Sequence, residues 1–183
     1  MQNFKVYFFY FAIIGWILSL IVHIISVYGI DLMDRFPYVW LLHIAVFIAW
    51  LPAILYLVKD PEIKEMQKNK ATPFNPMTFL KIIFKNTPVW LMIVAGIGFI
   101  YTIINFAWFF YSISGVPGII NGEYVLHNHG SIIKTLTEQE YSSYQAFELR
   151  SFSGHWIAFF GFASAILYPY DRKNDYDGSV YEQ

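Results

Sequence analysis

Four long stretches of this chain carry no Asp, Glu, Lys or Arg. They comprise 25 residues between Lys5 and Asp31, 23 between Arg35 and Lys59, 37 between Lys85 and Glu123, and 20 between Arg150 and Asp171. A helix that crosses a bilayer needs about 20 mostly apolar residues, so each interval is long enough for one span. The pattern predicts spans at residues 6–28, 37–58, 88–112 and 151–168. The first connection, GIDLMDRFP, is short and makes the first two spans antiparallel neighbours. The expected fold class is an all-α integral membrane protein, a four-transmembrane-helix antiparallel bundle. Residues 1–170 form its single membrane domain, and the aperiodic stretch 171–183 is expected to be a mobile cytoplasmic tail.

The segments between spans carry their own signals. Asn75 followed by Pro76 is a helix cap and first-turn pair, and PMTFLKIIFKN after it is amphipathic. This predicts a short cytoplasmic interfacial helix; the other reading is an extension of the third span broken at Pro88. The outer loop, 113–150, opens with SGVPG, which cannot continue a helix. Asn121-Gly122 and Asn128-His129-Gly130 then supply turns between β-prone runs, predicting a small sheet. Thr137 and Glu140 form a capping box that starts a helix at Glu138 and can run on into the fourth span, with Ser153-Gly154 as its place to bend.

Each span carries a stripe of small or polar residues. These are Gly15, Ser19, His23 and Ser26; Ala45, Ala49 and Ala53; Gly98, Thr102 and Asn105; and Gly154, Ala158, Gly161 and Ala165. Small residues at such spacing allow the close backbone approach that drives helix association in lipid. Pro52 should kink the second span and free a carbonyl.

Composition agrees with this picture. Of 183 residues 57% are hydrophobic and only 14% charged, against roughly 25% charged in a soluble domain. Aromatics reach 21%, and Tyr38, Trp40, Tyr56, Trp90, Trp108, Tyr111, Trp156, Tyr168 and Tyr170 fit interfacial belts. A net charge of −1 without a basic run argues against nucleic acid as a partner. Absence of cysteine excludes disulfides, thiolate chemistry and iron–sulfur ligation. Nucleotide-binding and hydrolase motifs are missing too.

Charge also sets an expected orientation. The connection from Lys59 to Thr87 holds Lys59, Lys64, Lys68, Lys70, Lys81 and Lys85 against Asp60, Glu62 and Glu65. The positive-inside bias makes that connection cytoplasmic, and both termini with it. The start, MQNFKVYFFYFAIIGW, has one Lys and too long an apolar run for a cleavable signal, so it reads as a retained first helix. The expected location is a bacterial inner membrane or a plasma membrane.

Candidate chemistry gathers near the outer face. His23 lies about 9 Å below the outer end of the first span, His43 about 9 Å down the second, Asn105 about 10 Å down the third and His155 about 8 Å down the fourth. Arg150 lies at the mouth, and Glu148 shares a helix face with His155. Outside the membrane, His127 and His129 would share a strand face and fold over the layer. Three chemistries fit these residue types. His127, His129 and His155 could hold a divalent transition metal. Haem b could take two axial imidazoles, from His155 and either His23 or His43. A quinone or lipid headgroup could sit against His23, His43, His155, Asn105 and Arg150. Set against these, histidines in membrane helices also bond across a bundle simply to stabilise packing, by about 0.6–2 kcal/mol. The role this supports first is a structural or accessory subunit of a membrane complex, in contact with the bilayer and with other membrane subunits or a second copy. The alternatives are a haem- or metal-binding electron carrier and a quinone or lipid headgroup binding protein.

Overall fold

The computed structural model describes residues 2–68 and 75–169; the predicted tail lies outside them. Its elements are α1 (Gln2–Val27), α2 (Leu32–Arg35), a 3-10 turn (Pro37–Trp40), α3 (Leu41–Lys59), α4 (Pro61–Lys68), α5 (Pro76–Phe84), α6 (Val89–Ser112), strands β1 (Val116–Ile120), β2 (Glu123–Asn128) and β3 (Ser131–Thr135), and α7 (Glu138–Ile166).

Three segments are long and apolar enough to cross a membrane: Asn3–Val27, Pro37–Lys59 and Val89–Ser112. They make this a multi-pass membrane protein. The fourth predicted span is not among them, and the reason is where it sits. α7 packs against α1, α3 and α6, and Ser151, Ser153, Gly154, Gly161 and Ser164 are all buried in it. Residues that allow close packing replace the bulky ones that would raise its apolarity. On the other three helices Ile14, Ile21, Phe47, Leu51, Ile97 and Ile104 stay exposed.

The buried stripe of α6 is Leu91, Ala95, Gly98, Thr102 and Asn105, alternating steps of four and three, which turns a single face to α7. The face of α1 repeats this with Phe9, Ala12, Ser19, His23 and Ser26. Gly15 belongs to the same face, and a Cβ there would collide with the ring of Phe160. Pro52 is accommodated within α3 and buried with Ala49 and Ala53.

Side chains of the surrounding elements donate hydrogen bonds to the main chain of α7. Asn105 Nδ2 reaches the Arg150 carbonyl at 3.2 Å and Thr102 Oγ1 the Gly154 carbonyl at 2.7 Å. Trp50 Nε1 reaches the Phe159 carbonyl at 3.0 Å, and Thr87 Oγ1, just before α6, reaches Ala165 at 2.7 Å. These bonds spread over most of the helix and fix its register against α3 and α6. Where water is excluded, such bonds hold helices together beyond what packing supplies.

The predicted sheet is present, antiparallel in the order β1-β2-β3. Its two-residue turns have positive φ at Asn121 and Gly122 and at His129 and Gly130, the conformation that favours Asn and Gly in tight hairpins. Thr137 caps α7 in a capping box with Glu140. A hydrogen bond from Lys134 and another from the Thr137 backbone hold the Glu140 carboxyl down at about 2. At the opposite end Asn75 caps α5 as expected, accepting from Met77 and Thr78 N–H. The polar helix α4 has no apolar run to announce it, and only Ile63 of it is buried. Lys85 ties the start of α4 to the end of α5, pairing with Asp60 at 2.8 Å and Glu62 at 2.7 Å.

Gly15→Ala should lower stability by about 1–3 kcal/mol, read as a lower Tm in mild detergent, because Phe160 has nowhere to go. Gly96→Ala, with open space around it, should leave Tm unchanged or raised. For the Lys85 tie, burial opposes ionisation of Asp60, but the Lys85 hydrogen bond and the Glu62 and Ile63 backbone bonds outweigh it and hold the carboxyl below its ordinary range. A depressed folded pKa stabilises above the unfolded value of about 3.9 and is lost as pH falls through the lower folded one. Amide exchange in α4 and α5 should therefore accelerate only below about pH 4, and Lys85→Met should move the Asp60 titration upward by NMR.

Candidate functional site

The predicted polar layer resolves into separate environments around α7. The first is a closed hydrogen-bond chain. His23, buried, places Nδ1 2.9 Å from Ser153 Oγ and Nε2 2.6 Å from Tyr101 Oη, and Ser153 Oγ lies 3.2 Å from the Arg150 carbonyl. One proton assignment satisfies all three contacts. Tyr101 donates to His23 Nε2, His23 Nδ1–H donates to Ser153, and Ser153 donates to the Arg150 carbonyl. Asn105 donates to that same carbonyl, so Asn105 and His23 belong to one network through the α7 backbone. Both ring nitrogens of His23 are thereby engaged.

The Arg150 side chain leaves this network. Its guanidinium carbon lies 5.6 Å from the Trp108 ring centroid, its Nε is buried without a partner, and it forms no ion pair among the described residues.

His43 meets a different face of α7. Its Nδ1 accepts from Trp156 Nε1 at 3.0 Å, and its ring sits edge-on to Trp40, Phe47 and Phe152. Trp156 is almost fully buried, and the histidine supplies the acceptor its indole N–H requires. His155 faces yet another way. Ring Nδ1 donates to the Ser151 carbonyl one turn back at 2.8 Å, and the ring packs edge-on to Phe106 at 4.7 Å.

A shared depth is not a shared site. Ser153, which holds His23, and His155 are two residues apart and so point about 200° from each other around the helix. The expected haem pair of His23 and His155 is therefore separated by α7 itself. His43 and His155 do line one groove, together with Trp50 and Phe159. The expected metal triad is not brought together either. Among the described residues no three of His, Cys, Asp or Glu form a metal-holding group. His127 lies in β2, while His129 lies beyond it in the turn with φ 47°, so the two do not share a strand face as expected. His127 Nδ1 is buried without a partner beside Gly118.

Three participants lie outside the polar layer read from the sequence: Tyr101, Ser153, expected there only as a bend, and Trp156, expected only as a belt aromatic. Tyr101 stands one turn before Asn105, far from either end of α6, where a hydroxyl needs a partner; that depth was the available signal. No family model, no curated protein and no solved structure matches the chain.

A double-mutant cycle tests this partition. His23→Phe and Ser153→Ala should couple by about 0.6–1.7 kcal/mol in thermal stability. His23→Phe and His155→Phe should be additive within about 0.5 kcal/mol, because they share no partner.

Proposed function

We propose that this protein is a four-span membrane protein that serves as an accessory subunit of a membrane complex, with both termini cytoplasmic and the sheet on the outer side. α7 is the fourth span in this reading, with α1, α3 and α6 packed against it. The lysines of α4 and α5 favour the cytoplasm for their end by the positive-inside bias. A bacterial inner membrane or a plasma membrane accommodates this arrangement.

The observation that carries the subunit role is the β3 edge. Every residue of β3 is exposed, Ile132 and Ile133 at 55% and 50%, and the strand lies at the margin of its sheet. An unpaired edge bearing two adjacent isoleucines invites another chain to pair with it. The outer sheet is thus the partner-facing surface, while the apolar faces of α1, α3 and α6 meet lipid. An electron carrier that uses His23 as a haem ligand has less support, because His23 uses both ring nitrogens within the protein.

The chain has no native cysteine, so single cysteines report topology against a clean background. Glu123→Cys should react with an impermeant thiol reagent from outside intact cells and Lys64→Cys only after permeabilisation; the reverse pattern overturns the orientation. Gentle purification should recover a stoichiometric partner that Ile132→Lys with Ile133→Lys releases without changing Tm. Recovery of the unaltered protein alone overturns the subunit role.

A further inference from the structure

α3 and α6 flank α7 without closing over it, and the stripe of α7 between them, from His155 to Ile166, floors a groove of about 470 Å³. Trp50 and Leu57 of α3 form one wall, Ile103 and Phe106 of α6 the other, and α5 closes the far end with Ile83. From His155 to Ile166 the floor is about 16 Å long, and the volume falls within the range of small-molecule sites, about 300–1,000 Å³.

The polar atoms of this lining are few, and their commitments can be followed one by one. Trp50 N–H is held by the Phe159 carbonyl, Thr102 O–H by the Gly154 carbonyl, and His155 Nδ1–H by the Ser151 carbonyl. His155 Nε2 makes no hydrogen bond among the described residues. With the proton fixed on Nδ1, a neutral imidazole presents a lone pair at Nε2 and therefore accepts. The groove is an apolar slot with His155 at its outer end, beside the rings of Phe106, Trp50 and Phe159, and His155 Nε2 is the one side-chain N or O of the lining without a partner among the described residues. An acceptor facing an apolar surround is costly unless its occupant supplies a donor.

We infer that this groove binds a lipid-phase hydroquinone, its phenolic O–H donating to His155 Nε2, its ring between the aromatic walls and its apolar tail running toward α5. The oxidised quinone carries only acceptors and would set one lone pair against another, so the site selects the reduced form. The assignment rests on α7 spanning the membrane as proposed above.

Binding of a decyl-tailed hydroquinone, of its oxidised quinone and of decanol to the intact protein in lipid nanodiscs tests the inference, under anaerobic conditions that hold each redox form. The hydroquinone should bind about tenfold tighter than the quinone, the ratio one net hydrogen bond supplies. His155→Phe should abolish that preference, and His155→Gln, which retains an acceptor, should keep part of it. Ile103→Trp, directed into the groove from an exposed position, should block all binding while the protein remains folded by Tm. Equal affinity for the two redox forms, or a preference that survives His155→Phe, overturns the inference. Decanol binding as tightly as the hydroquinone overturns the role of the ring. Thiol labelling at Glu123→Cys and Lys64→Cys in the same nanodiscs checks the topology, so absent binding with the expected labelling counts against the ligand and not against the four spans.

Discussion

The main-chain carbonyls of α7 hold this protein together. A helix surrounded by apolar neighbours gains little from hydrophobic contact once those neighbours are equally at home in lipid, so polar bonds and close packing must do the work. Donors from Asn105, Thr102, Trp50 and Thr87 reach carbonyls spread from Arg150 to Ala165, and His23 adds a bond to the Ser153 hydroxyl. Each is worth only about 0.6–2 kcal/mol, yet together they set rotation as well as register. The small residues around them, Gly98, Ala158 and Gly161 among them, let the backbones come close enough for short side chains to reach.

The sequence made the local elements readable because their causes are local. Charge-free intervals mark α1, α3 and α6, the Asn-Gly and His-Gly pairs mark the hairpin turns, and Thr137 with Glu140 marks the start of α7. α4 escaped because a polar surface helix has neither an apolar run nor a distinctive cap. The capping box and the charge-free interval mark α7 as one long helix, but its place as the element that α1, α3 and α6 pack against shows only in its buried serines and glycines. The histidines show the limit most clearly. Counting residues from a helix end gives depth, and on that count His23, His43 and His155 are equivalent. Direction around the axis depends on which neighbour lies on which side, a tertiary property that only the fold supplies. Tyr101 stayed hidden for the same reason, since its role exists only where His23 meets it.

Depth without direction also separates two kinds of chemistry that looked like one. On the α1 side of α7 the polar groups engage one another, with His23, Tyr101, Ser153 and Asn105 joined in one network. On the side between α3 and α6 His155 keeps a nitrogen uncommitted within an aromatic slot. The first arrangement gives rigidity and the second gives capacity to bind, and a single helix separates them.

The order of the elements carries one more consequence. α7 follows α1, α3 and α6 in the chain, so it is synthesised after the helices that pack against it. The bonds of Asn105, Thr102 and His23 Nδ1 all end on α7, whereas His23 Nε2 meets Tyr101 of α6. The polar faces of α1 and α6 are thus completed only by the last helix of the chain, so the native bundle cannot close until nearly all of the sequence has been made.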